Sequence, residues 1–235
     1  MLRLSAHLTS IVVAILLASA AGAWAQETVS IGGSNAVLLR PASPRASVIL
    51  MPGGDGKLGV GANGEISSLR GNQLVRTRHA YLKNNLAVLV IDAGTNLDAA
   101  VRHMAAIKRP VTVIATSRGT QRAAYGIAQG AKPDALVLTA GFLTDESGSR
   151  ENVKNILGSP AALPPTLIIH HRRDACRYTL PDGVEPFIRW AGGKARAAWL
   201  DGGTNTGNPC QARAYHGFNG LDGRVVSLAA GFRGK

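Results

Sequence analysis

Five short, almost wholly apolar runs constrain this chain more than anything else in it: Ala46–Met51, Leu86–Ile91, 111–115, Ala135–Thr139 and 166–169. All are rich in Val, Ile and Leu. A strand with one wet face alternates apolar and polar residues; these do not, so each is expected to be buried on both faces. Between them lie longer segments with helical spacing, over 69–82, Leu97–Ile107 and 118–130. Short helices are expected at Val153–Leu157 and around 186–190, a last strand at 196–200 and a closing helix at 221–232. The pattern predicts an α/β fold, a mostly parallel central sheet flanked by helices. Residues 29–39 alternate instead, as an early hairpin or edge strand does. No internal repeat or low-complexity tract interrupts this order, so residues 26–235 read as one domain.

Residues 1–25 read differently. Arg3 gives a positive start, 11–17 an apolar centre, and Ala23-Trp24-Ala25 a small-residue cleavage site, so they are expected to be a signal peptide. The apolar part is short for a membrane span, and no transmembrane span is expected in the mature chain. Export, to a periplasm or outside the cell, also suits the two cysteines, Cys176 and Cys210. Two cysteines can close one bridge or remain buried thiols. The whole chain has a net charge of +12; without residues 1–25, which hold one Arg and no acid, 25 cations face 14 acids and leave +11. These cations are dispersed, and no helix-turn-helix, zinc or aromatic-platform pattern accompanies them, so no specific nucleic acid is expected as a partner.

One strand ends in a turn of small residues: Ala115-Thr116-Ser117-Arg118-Gly119, followed at once by a helical pattern. Strand, sharp turn and helix can hold a serine exposed as a nucleophile, with helix N–H groups facing any anion formed there. Serine is also an ordinary helix cap, and the turn alone does not separate the two readings. A serine hydroxyl needs a base in reach, and the base needs an orienting carboxylate. In parallel sheets such groups collect beyond the carboxyl ends of strands. Beyond the 166–171 run comes Arg172-Arg173-Asp174, and beyond the 196–200 run comes Ala214-Tyr215-His216-Gly217-Phe218. Asp201, next to the last strand, is a rival acid.

These residues, with Pro52-Gly53-Gly54-Asp55-Gly56 after an early strand, resemble the α/β-hydrolase superfamily over most of residues 46–235. The likeness is to its small, lidless, dienelactone-hydrolase-like members. Two departures are Ala115, where a glycine is usual, and an early loop without a His-Gly start. The resemblance implies Ser117 as nucleophile, His216 as general base and acid, and Asp174 as orienter. It implies an oxyanion hole from the N–H of Arg118 and one from Gly53 or Gly54, and no cofactor. If these three side chains meet, the loops carrying Cys176 and Cys210 meet too, and a disulfide between them is expected.

Adjacent strand residues point to opposite faces, so His170 and His171 are not expected to share a metal ion, and no metal site is assigned. His79 and His103 are expected on helix surfaces. Arg76 and Arg78 could face a substrate carboxylate or simply water. The expected function is an exported serine hydrolase acting on an ester or thioester, with a small-molecule or surface-presented acyl substrate. The alternatives are a serine peptidase and a non-catalytic envelope or ligand-binding protein on the same fold. The segment 142–165 is the stretch that could cover such a site.

Overall fold

The computed structural model describes residues 25–232 and residue 234; the expected signal peptide lies outside them, apart from Ala25. The chain opens with an antiparallel hairpin, β1 (Ala25–Ile31) and β2 (Ser34–Arg40). There follow β3 (Ala46–Met51), α1 (Gln73–Lys83), β4 (Leu86–Ile91), α2 (Leu97–Ile107), β5 (Val111–Thr116), α3 (Arg118–Ala128) and β6 (Ala135–Thr139). Then come α4 (Val153–Leu157), β7 (Thr166–His171), α5 (Val184–Trp190), β8 (Ala195–Leu200) and α6 (Asp222–Gly231). The eight strands form one sheet in the order β1-β2-β4-β3-β5-β6-β7-β8. The hairpin joins β4 antiparallel, and every later pairing is parallel.

Every residue of β3, β4, β5, β6 and β7 is buried, which is why their sequences are apolar without alternation. Successive side chains serve different faces. Ile49 and Met51 pack with α2 and α3, while Val48 and Leu50 pack with α1 and α6. β8 is an edge, and Arg196 on it is exposed. The helix expected over 69–82 starts later, at Gln73. Leu69 has φ 54°, and the Asn72 side chain accepts the Leu74 N–H at 3.1 Å, so the cap sets the start. Asn96 caps α2 in the same way, through the Ala99 N–H at 2.9 Å.

From β3 the chain crosses through α1 on one face to β4; it returns through α2 on the other face to β5, on the far side of β3. The connections leaving β3 and β5 therefore diverge, α1 to one face and α3 to the other, and a crevice opens at their carboxyl ends. Among the described residues, no helix is long and apolar enough to cross a membrane.

Candidate active site

Ser117 sits in that crevice, between β5 and α3, at φ 53° and ψ −128°. Few non-glycine residues adopt such a conformation, and it persists only where the surroundings impose it. Its N–H donates to the Thr139 carbonyl at 3.1 Å, and its own carbonyl accepts from Thr120 N–H at 2.9 Å and Thr120 Oγ1 at 2.7 Å. An ideal Cβ on Gly119 would lie 2.2 Å from the Met51 carbonyl oxygen, so only glycine lets α3 approach β3 this closely. Ala115 is in register with Met51 and fully buried in the core, so its methyl group is accommodated where glycine is usual. The Ser117 hydroxyl makes no capping bond to α3; it lines a cavity of about 130 Å³ instead. This serine therefore does not serve as a side-chain helix cap.

His216 lines the same cavity from a one-turn 3₁₀ helix, Tyr215–Gly217. It is 6% exposed. Gly217 is required there, since a Cβ would meet the Ala212 carbonyl oxygen at 2.3 Å. His216 Nδ1 lies 3.0 Å from Asp174 Oδ2. A carboxylate only accepts, so Nδ1 carries the proton and Nε2 is left as the basic nitrogen. Asp174 is buried in the loop after β7. Its Oδ1 accepts the Cys176 N–H at 2.9 Å, and its Oδ2 accepts from Thr179 Oγ1 at 3.1 Å. Thr179 Oγ1 is also 2.9 Å from His216 Nδ1, so one hydroxyl braces both groups. Asp201, the rival acid, is exposed and pairs with Arg173 at 3.0 Å instead. Burial does not hold it down; the Gly202 N–H and then Arg173 keep its carboxyl below the ordinary range.

Gly53 and Gly54 line the cavity opposite His216, and a Cβ on Gly53 would stand 2.9 Å from Ser117 Cβ. Their loop is held from behind by Arg122 of α3, which donates to the carbonyls of Pro52 and Gly54. In a trans peptide, N–H and C=O point opposite ways. With the Pro52 carbonyl on Arg122, the Gly53 N–H faces away from it. Burial, then repulsion from Arg118, lowers the Arg122 pKa. Arg118 opens α3, whose first-turn N–H groups have no acceptor within the helix.

Other expected residues fall elsewhere. Arg76 is half-buried and engaged: it grips Asp222 through Nε and Nη2 and donates to the Gly217 carbonyl at 2.7 Å. It thereby ties α1 to the His216 turn. Arg78 lies outside the Ser117 cavity, with burial lowering its pKa. His79 is exposed, but His103 is half-buried. His170 and His171 do separate: His170 stacks on Trp199 and His171 on Tyr215. No residue of 142–165 lines the cavity, because α4 turns Val153 into the core. Cys176 and Cys210 are joined by a disulfide, with Cα atoms 4.6 Å apart. Thr179 and Arg122 escape sequence reasoning, since neither stands in a motif; a Thr five residues after the acid is the only hint of the first.

No family model and no curated protein matches this sequence. Solved structures do match. TT1662 from Thermus thermophilus superposes with a TM-score of 0.59 at 14% identity, over 90% of this chain and 100% of that one. The esterase domain of a Rhodothermus marinus protein gives 0.59 at 15%, over 88% and 98%. A dienelactone hydrolase from Anabaena variabilis gives 0.58 at 15%, over 89% and 95%. With the sheet order and the crevice described above, this likeness shows that the chain has an α/β-hydrolase fold.

Proposed function

We propose that this protein is an exported serine hydrolase that cleaves an ester, a thioester or a similar acyl bond. One observation carries the reading: His216, paired with the buried Asp174, lines the same cavity as Ser117, which sits on a strained turn and makes no capping bond. Ser117 Oγ attacks the acyl carbon and His216 Nε2 takes its proton. Asp174 holds the imidazole in the Nδ1–H tautomer and stabilises the imidazolium. The carbonyl oxygen becomes an oxyanion that the N–H of Arg118 and one from Gly53 or Gly54 stabilise, at ~3 kcal/mol per donor. His216 then gives its proton to the leaving oxygen or sulfur, and the alcohol or thiol departs. Water, deprotonated by the same histidine, hydrolyses the acyl-enzyme. The scheme needs no cofactor.

Export to a periplasm or medium rests on the leader-like residues 1–25 and is supported by the disulfide, which persists in oxidising compartments. Covalent labelling with a fluorophosphonate tests the reading. The adduct is expected on Ser117. Ser117→Ala is expected to abolish both labelling and turnover of a p-nitrophenyl ester, with the melting temperature nearly unchanged. Turnover retained by the purified variant moves the nucleophile elsewhere; a wild type that neither labels nor turns over favours the non-catalytic reading.

A further inference from the structure

We propose that Asn72 is a further catalytic residue: its side-chain N–H donates to the oxyanion, beside the backbone donors named above. This rests on the serine-hydrolase reading. Asn72 stands just before α1 and lines the Ser117 cavity together with Gly53 and Gly54. Its orientation is not free. Oδ1 accepts the Leu74 N–H at 3.1 Å. Only the oxygen of a carboxamide can accept, so this bond settles which end of the side chain is which. The NH₂ group, Nδ2, points the other way, and among the described residues it donates to no acceptor.

Gly53 opens the way between this amide and the serine. An ideal Cβ on Gly53 would lie 2.9 Å from Ser117 Cβ and 3.5 Å from Asn72 Nδ2. Both groups thus stand against one point, and glycine puts no carbon there. The amide is also held still. Asn72 N–H donates to the Leu69 carbonyl at 2.8 Å, and the Asn72 carbonyl accepts the Arg76 N–H at 2.9 Å. Arg76 in turn grips Asp222 and donates to the Gly217 carbonyl, next to His216. Amide and imidazole therefore share one frame. A donor fixed before the reaction costs no reorganisation when charge develops, which is what makes an oxyanion donor effective.

As Ser117 Oγ bonds to the acyl carbon, the π pair of the C=O moves onto its oxygen, and the serine proton goes to His216 Nε2. Asn72 Nδ2–H donates a hydrogen bond to that oxygen and transfers no proton. When the leaving group departs, the pair returns to the carbonyl. The same oxygen gains charge again when water attacks the acyl-enzyme. Both half-reactions use the donor, so its loss slows both. A carbonyl is a weaker acceptor than an oxyanion, so the loss falls on kcat rather than on KM.

The test removes the amide and keeps the cap. Serine caps a helix about as well as asparagine and lacks the NH₂ group. Asn72→Ser is expected to lower kcat for p-nitrophenyl acetate ~100-fold, with KM and melting temperature nearly kept. Asn72→Asp keeps the cap and the shape but sets a carboxylate oxygen where the N–H stood, and is expected to lose at least as much. Trifluoroacetone forms a serine adduct that carries an oxyanion, and its affinity is expected to fall ~100-fold in Asn72→Ser, as is the rate of fluorophosphonate labelling. Asn96→Ala removes the cap of α2, outside the cavity, and is expected to lower the melting temperature while leaving kcat as it was. An Asn72→Ser variant with wild-type kcat, or with a loss in KM alone, overturns the proposal and leaves the serine-hydrolase reading standing. If the wild type labels but hydrolyses no ester, labelling rates decide: an adduct ~100-fold slower in Asn72→Ser supports the donor, and equal rates refute it. A wild type that neither labels nor turns over overturns both.

Discussion

Three side chains near the carboxyl end of β7 hold an acidic or hydroxyl group, and their surroundings rank them. Asp174 is buried and bonded to His216, so Asp174→Asn is expected to lower kcat by ~10⁴-fold, as loss of the orienting carboxylate does elsewhere. Thr179→Val removes a hydrogen bond to the Asp174 carboxylate and a contact with His216 Nδ1, for a loss of roughly tenfold in kcat with KM kept. Asp201→Asn alters an exposed pair and is expected to change little. Steady-state kinetics of the three variants checks the ranking; a larger loss from Asp201→Asn than from Asp174→Asn sinks it. His170 makes a different kind of statement. Burial lowers its pKa from 6.5 to about 4, and among the described residues neither ring nitrogen has a hydrogen-bond partner. The unfolded chain thus takes up this proton more readily than the folded one. The contribution to stability is complete above pH 6.5 and is lost as pH falls toward 4, by roughly 3 kcal/mol at full extent. His170→Phe keeps a ring beside Trp199 and removes the proton site. Urea midpoints from pH 7 to pH 4 are expected to fall less steeply in this variant, and parallel curves contradict the assignment.

Elements were legible where one local cause decides them. β3, β4, β6 and β7 stand where their apolar runs put them, because burial on both faces leaves no polar position to confuse the period. α2 stands where Asn96 and Pro110 bracket it. The start of α1 was missed by four residues, because Leu69 continues the helical spacing while Asn72 supplies the cap. At the site, the order beyond strand ends brings Ser117, Asp174 and His216 forward as candidates, and the structure sets His216 against Asp174 and in one cavity with Ser117. Thr179 and Arg122 were not legible, because their work is to brace groups distant in the chain. The close approach of α3 gives a further test. Gly119→Ala drives a Cβ against the Met51 carbonyl, which belongs to a buried strand that cannot yield, at a cost of roughly 3 kcal/mol or more. Gly223→Ala in the first turn of α6 meets no atom within 4 Å and gains up to ~1 kcal/mol of helix propensity. Urea unfolding is expected to show a large loss for the first and little change for the second; equal losses argue against the packing described.

At the scale of the whole molecule, the disulfide joins the acid loop to the histidine loop. Closing a 34-residue separation contributes ~3–4 kcal/mol in the chain-entropy model. Its effect on rate is expected to be larger, since a displacement of about 1 Å at a catalytic group costs ~100-fold. Reduction, or Cys176→Ser with Cys210→Ser, is expected to lower activity more steeply than the folded fraction. Thiol counts, melting curves and turnover with and without reductant measure this, and activity falling only in step with unfolding contradicts it. Ser117, Asp174 and His216 stand on three separate connections, after β5, β7 and β8, and none belongs to a strand. The sheet and the chemistry therefore answer to different kinds of inherited change. A substitution in a strand decides whether there is a folded protein at all. One in a connection changes what lines the crevice, and no strand has to repack for it. A lineage built this way can wander far in sequence and in the lining of its crevice while its outline stays the same.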